Sequence, residues 1–253
     1  MKIEKFDSLE STNKYCEALD LQQVGDFTCF WALEQTAGIG QRGNHWASSP
    51  GENLTFSLVL HPTFLPADRQ FKLTEALSLA VVDFLSIFNS QFSIHIKWPN
   101  DIYVRMLNTT AGSERHTYKK ICGTLVSTRL SGNHISAAVC GIGLNINQLE
   151  FPSWVPHPTS LALLTRQQYE VEPLLRQLLQ CIERRYNDLK SGTDPEAEYL
   201  TRLMNLGVPA PYKYKEEEIT ATITGIDPYG HLLLEATDGR HLTCGMKEIA
   251  LLS

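Results

Sequence analysis

Between Asp68 and Phe88 the chain places Phe71, Leu73, Ala76, Leu77, Ala80, Val81, Phe84, Leu85 and Phe88 at helical spacing. That periodicity predicts one long helix with an apolar face, which has to be buried against something larger than itself. The flanking segments are strand-like. Phe27 to Leu33 is aromatic and β-prone, and in LTFSLVL the residues Leu54, Phe56, Leu58 and Leu60 alternate as a half-buried strand does. IHIKW predicts a further strand that stops at Pro99, and ICGTLVSTRL and HISAAVCGIGLNI predict a hairpin around Ser131-Gly132-Asn133. Shorter helices are expected from Ser11 to Leu21 and from Glu172 to Lys190. A third should open at a capping box, Thr193-Asp194-Pro195-Glu196, and run to about Leu206. Helices interleaved with strands predict an α+β body in which helices pack on a mixed β-sheet.

From Gly207 the pattern changes to short strands, ITATITGI, HLLLEAT and RHLTCGMKEIALL, joined by turns at Asp227-Pro228-Tyr229-Gly230 and Thr237-Asp238-Gly239. We therefore divide the chain into a body, residues 1–206, and a small β-barrel, residues 207–253. A unit of fewer than fifty residues is marginal alone, so it is expected to pack on the body. Leu107 to Tyr118, polar and aperiodic between two apolar runs, reads as a surface insertion.

Composition narrows the function classes. At 43% hydrophobic and 20% charged, the chain can bury a globular core. It has no run near the roughly 18 apolar residues of a membrane span and no secretory signal at its start, so no membrane partner and a cytoplasmic location are expected. Six cysteines without a C-x-x-C pair indicate neither a zinc site nor a disulfide framework. A net charge of −6 argues against nucleic acid, whose phosphates demand clustered cations. Any phosphate bound here should belong to a small ligand met by a few placed cations.

Three segments can carry chemistry. In Gln35-Thr36-Ala37-Gly38-Ile39-Gly40-Gln41-Arg42-Gly43-Asn44-His45-Trp46, glycines free the backbone for close approach to a ligand, and Arg42 offers a forked cation suited to phosphate. A mobile surface loop is the plain alternative. Lys97-Trp98-Pro99-Asn100-Asp101 sets a lysine at a strand end, where it can meet developing negative charge while Asp101 orients it or holds Mg²⁺. Its alternative is a solvated lysine beside an Asn-Asp turn. Gly141-Ile142-Gly143-Leu144-Asn145 lets a ligand lie against a strand, with Asn145 able to read a purine edge; a bulged strand is the other reading. Ser11-Thr12-Asn13 reads first as a helix cap.

Taken in order, STN, Q-T-A-G-x-G-x-x-G-x-x-W, KWPND, K-I-C-G-T-L, GIGLN and a later Thr159-Ser160-Leu161 resemble the catalytic domain of biotin protein ligases over essentially the whole chain. The resemblance implies a class II synthetase-like body with a C-terminal SH3-like barrel. It begins at residue 1, which implies the single-function type without an N-terminal DNA-binding domain. The activity implied is ATP-dependent conversion of biotin to biotinyl-5'-AMP, with ATP and Mg²⁺ as cofactors, followed by transfer to a lysine of a biotin carboxyl carrier protein. The resemblance leaves room for a homodimer.

Carried over residue by residue, it implies that Ser11, Thr12, Asn13, Gln35, Gly38, Gly40, Gln41, Lys97 and Gly123 bind biotin. Arg42, Asn44, Trp46, Lys97, Lys120 and Asn145 would bind ATP, Lys97 and Arg42 would be catalytic, and Asp101 would take the metal. Ile39, Gln41 and Asn44 stand where many members have arginine, so Arg42 is this loop's only one. Two other functions share these features: a lipoate or octanoate ligase or transferase of the same fold, and a non-catalytic biotin-binding protein.

Overall fold

The computed structural model describes residues 1–88, 92–106, 118–246 and 248–252, with Arg42 described by its backbone. Seven strands form a mixed sheet: β1 (Lys2–Leu9), β2 (Thr28–Gln35), β3 (Leu54–Leu60), β4 (Phe92–Lys97), β5 (Asp101–Met106), β6 (Tyr118–Ser131) and β7 (His134–Leu144). They lie in the order β1-β2-β3-β7-β6-β5-β4. β1 and β2 run parallel and the other neighbours antiparallel. Two long helices, α2 (Phe71–Ser86) and α4 (Val171–Lys190), close one face of the sheet, and their apolar stripes merge with Leu54, Phe56, Leu58 and Leu60 in the main core. The expected α+β body is present.

β3 departs from its expected half-burial, since all seven of its residues are buried. The alternation in LTFSLVL records two different covers. Its leucines and Phe56 face the main core, and the other side lies beneath α1 (Thr12–Glu17), where Ser57 bonds Thr12 and Asn13. α1 stops at Glu17 instead of Leu21 because Asp20 organises a turn, its carboxylate accepting from Gln22 N at 3.2 Å and its carbonyl from Gln23 N at 3.0 Å.

A short helix α3 (Leu161–Thr165) precedes α4, and α5 (Glu196–Arg202) follows it. The capping box expected to open α5 is not formed. Asp194 accepts from Glu196 N at 3.0 Å, while the Glu196 carboxylate turns to Lys72 at 2.6 Å. The helix ends short of Leu206 because the backbone is recruited to the sheet, Met204 N donating to Ile96 O at 2.8 Å.

The C-terminal strands β8 (Pro209–Tyr214), β9 (Glu217–Ile226), β10 (Leu232–Ala236), β11 (His241–Cys244) and β12 (Ile249–Leu251) form an antiparallel sheet ordered β11-β10-β9-β8-β12. Its ends do not pair with each other among the described residues, so the expected barrel is an open SH3-like sheet. It packs on the body as anticipated. Trp98 Nε1 donates to Gly230 O at 3.0 Å, and Phe71 fills the space a side chain at Gly230 would need. The insertion expected at Leu107 to Tyr118 lies, up to residue 117, outside the described residues.

Candidate active site

One cavity of about 320 Å³ opens between the centre of the seven-stranded sheet, the loop after β2 and the C-terminal sheet. Of the residues singled out in the sequence, Ser11, Thr12, Asn13, Gln35, Gly40, Gln41, Asn44, Trp46, Lys97, Asp101, Lys120 and Gly123 line it.

Its polar end is built by α1 against β2 and β3. Ser11 caps the helix through its hydroxyl, and the next two side chains turn inward, all three being buried. Gln35 Oε1 accepts from Thr12 N at 2.7 Å and from the Thr12 hydroxyl at 3.2 Å. The Gln35 carbonyl oxygen is thereby held, which leaves its NH₂ for other partners. Ser57 Oγ lies 2.8 Å from Thr12 Oγ1 and donates to Asn13 Oδ1 at 2.5 Å, and the amide nitrogen of Asn13 is buried with no partner among the described residues. A buried donor without a partner is costly unless something in the cavity accepts from it. Ser57 had no motif to announce it, since its role depends on β3 lying under α1.

The charged end is the β4–β5 corner. Register pairs Lys97 with Asp101 across Trp98-Pro99-Asn100, in which the Trp98–Pro99 peptide is cis. The corner is tied down on three sides. Asn100 Nδ2 donates to Thr124 O and Thr124 N to Asn100 O; Trp98 is bonded to Gly230; and Tyr199 Oη donates to Pro99 O at 2.8 Å. Lys97 is therefore half-buried on a rigid support, unlike the solvated lysine of the plain reading. Burial pulls its ammonium below the ordinary lysine value, Asp101 acts the other way, and Lys120 adds to the lowering. Lys120 Nζ meets Asp101 Oδ2 at 2.7 Å and lies 5.7 Å from the centre of the Trp46 ring.

The glycine loop folds as a miniature hairpin. Gly40 N donates to Asn44 O at 2.7 Å and Trp46 N to Gly38 O at 2.9 Å, with residues Gln41–Gly43 forming a 3₁₀ turn at the tip. Gly38 lies behind the lining, where a Cβ would sit 2.7 Å from Trp46 O. The hairpin lays the Trp46 indole over β6 and β7. A Cβ at Gly143 would lie 2.6 Å from Trp46 Cζ2, and one at Gly141 would lie 2.8 Å from Asn13 Cγ. The GIGLN glycines thus make room for two of the protein's own side chains. Asn145 of that motif is not among the lining residues. It is buried just past the end of β7, its amide donating to Thr159 O at 2.9 Å and its side-chain oxygen left without a partner among the described residues. The side chain of Arg42 lies outside the described residues.

Asp101 is the carboxylate at the charged end, and it already holds Lys120. Among the described residues no group of three or more His, Cys, Asp or Glu side chains is placed to hold a metal. Mg²⁺ can bind through one carboxylate together with substrate phosphates, so the donor set suits a cation arriving on a nucleotide and does not suit a resident ion.

Residues 5–145 match the model of the biotin/lipoate A/B protein ligase family. The chain belongs to this family. Among the chain's relatives, the biotin–[acetyl-CoA-carboxylase] ligase of Paracoccus denitrificans is 31% identical over 244 residues, covering 92% of this chain and 94% of that one. The bifunctional ligase/repressor BirA of Bacillus subtilis is 28% identical, over 92% of this chain and 69% of its own length. The biotin protein ligase of Aquifex aeolicus, solved in complex with biotin and ATP, shares the fold with a TM-score of 0.76 at 24% identity, over 99% of this chain and 98% of that one. No helix among the described residues is long and apolar enough to cross a membrane.

Proposed function

We propose that this family member is an ATP-dependent biotin protein ligase whose cavity holds biotin at the Asn13 end and joins it to AMP at the Lys97 end. The observation that carries this is the arrangement of one cavity with an unpaired buried amide donor at one end and paired lysines at the other. A ureido group offers a carbonyl to Asn13 and N–H donors to neighbouring hydroxyl and amide oxygens, whereas a dithiolane or alkyl chain would leave these groups unsatisfied. Loss of a hydrogen-bonded partner in such a site rejects an analogue strongly. The polar end therefore favours biotin over lipoate or octanoate.

In the first step a biotin carboxylate oxygen attacks the α-phosphorus of ATP, the bond to the leaving pyrophosphate breaks, and biotinyl-5'-AMP forms. In the second, a lysine amine of the acceptor attacks the acyl carbon and AMP leaves. The acceptor we propose is a biotin carboxyl carrier protein. No protein nucleophile is needed. Lys97 draws the carboxylate and the α-phosphate together and stabilises the charge that builds between them, and Lys120, oriented by Asp101, adds a second cation. Trp46 supplies an aromatic face for adenine, and the Gly38–Trp46 hairpin excludes water from the adenylate. Asn44, which lines the cavity, would meet the triphosphate, and Arg42, the loop's one arginine in the sequence, is proposed to join it.

Lys97→Ala is the test. Biotin-dependent pyrophosphate release should fall at least about a hundredfold, the scale of losing one preorganised charge-stabilising group, while calorimetry still detects biotin binding. Turnover within a few-fold of wild type would remove Lys97 from the mechanism. Binding without any pyrophosphate release in the wild type would make the chain a binding protein.

A further inference from the structure

The third tie on the Lys97 corner comes from far along the chain. Tyr199 lies on α5, is fully buried, and spends its hydroxyl on the carbonyl of Pro99, 100 residues away. Pro99 is the middle residue of the corner, so this bond grips the backbone equally close to Lys97 and to Asp101. The helix is itself fixed to the strand that carries Lys97. Leu203 bridges Ile96 in parallel fashion, and Met204 N donates to Ile96 O. Phe71 braces the same assembly, meeting the Tyr199 ring edge-on at 5.8 Å and filling the space beside Gly230, whose carbonyl holds Trp98. Tyr199 does not line the cavity, so it touches no substrate.

We infer that Tyr199 is a positioning residue for adenylation, its hydroxyl fixing the Lys97 ammonium through the Pro99 carbonyl. The inference rests on the reading of Lys97 given above. A cation that acts on charge developing in the transition state is sensitive to displacement, and an error of about 1 Å can cost on the order of a hundredfold in rate. Biotin is held at the other end of the cavity by Asn13, Thr12 and Gln35, whose hydrogen bonds among the described residues do not reach this helix. Removing the hydroxyl should therefore lower kcat and spare biotin affinity.

Tyr199→Phe is expected to lower kcat for biotin-dependent pyrophosphate release by roughly ten- to a hundredfold, with KM and the calorimetric Kd for biotin within twofold of wild type. Tyr199→4-aminophenylalanine, which returns a donor to the same place, should recover most of the rate. In a Lys97→Ala background Tyr199→Phe should cost little more, because groups that act as a unit are not additive. An unchanged kcat in folded Tyr199→Phe overturns the inference, as does a full further loss on top of Lys97→Ala. If the Phe variant does not fold, the amino variant decides alone: wild-type kcat supports the donor role, and a lowered kcat at unchanged Tm refutes it. If Lys97→Ala by itself keeps turnover, the failure lies in the function proposed for Lys97.

Discussion

Replacing Gly141 or Gly143 by alanine should separate the two substrates. A methyl group at Gly141 would sit 2.8 Å from Asn13 Cγ and closer still to its carbonyl oxygen. Real Cβ atoms do not tolerate that, and β7 cannot retreat because it is paired on both sides, with β3 and β6. The Asn13 side chain must move, which breaks its bond from Ser57 and withdraws the amide from the cavity. Unmaking a buried polar contact costs about 1–3 kcal/mol, equivalent to roughly five- to a hundredfold in biotin Kd. The added volume costs a further ~1–3 kcal/mol of stability, to be read separately as a fall in Tm. Two residues on, a methyl at Gly143 would meet the Trp46 indole at 2.6 Å and lift it from the sheet without touching Asn13. Calorimetric titration of each variant with biotin and with a non-hydrolysable ATP analogue gives the readout. Gly141→Ala should lose biotin and keep nucleotide; Gly143→Ala should do the reverse. If folded Gly141→Ala binds biotin as wild type does, or if both variants lose both ligands alike, the allocation of the two ends of the cavity is wrong.

Two other outcomes follow from buried polar groups. Ser57→Ala removes the hydroxyl that orients Asn13, a neutral hydrogen bond of about 0.5–1.5 kcal/mol, so the biotin KM should rise roughly two- to tenfold with the ATP KM unmoved; steady-state kinetics in both substrates would expose a shared loss. Glu75, fully buried on α2, has its carboxyl pushed from the ordinary 4.5 up to about 7, chiefly by burial and against the pull of Lys72 at 3.2 Å. The folded state holds that proton more tightly than the unfolded chain does, so its contribution to stability is complete below about 4.5 and is lost as the pH climbs through about 7. Glu75→Gln should accordingly match wild type in Tm at pH 5 and exceed it at pH 8; an equal difference at both values would count against this account.

How much of this was legible beforehand differs between the fold and the site. Strands with uninterrupted apolar character and the two long helices were readable because periodicity reports burial directly. β1 was not, since an edge strand with the sequence KIEKFDSL exposes much of its surface and carries no apolar signature. Helical spacing overruns α1 because it does not register the local turn at Asp20, and it misplaces the ends of α5 because tertiary partners compete there, as Lys72 does for Glu196 and Ile96 for Met204. In the site, Ser11-Thr12-Asn13 proved to be both the helix cap and the wall of a cavity, two readings that local sequence presents as rivals. The GIGLN motif is visible in the sequence, but spacing does not show that Gly141 and Gly143 accommodate Asn13 and Trp46, or that the Asn145 amide bonds Thr159. Ser57 and Tyr199 act across 44 and 100 residues of chain, distances over which spacing carries no information.

The trio of Lys97, Lys120 and Asp101 leaves one surplus positive charge in the mouth of a protein whose net charge is −6. A nucleotide triphosphate approaching from bulk solvent first meets the field of a net negative chain, which repels it, and only within contact range does it meet the lysines. Salt acts on these two regimes unequally. Beyond the Debye length, about 8 Å at physiological ionic strength, the repulsion is erased, whereas the half-buried cations are screened much less. Capture of ATP by this chain should thus quicken on the first additions of salt and slow only at higher concentrations, the opposite order from a ligase that recruits its nucleotide with a broadly basic surface.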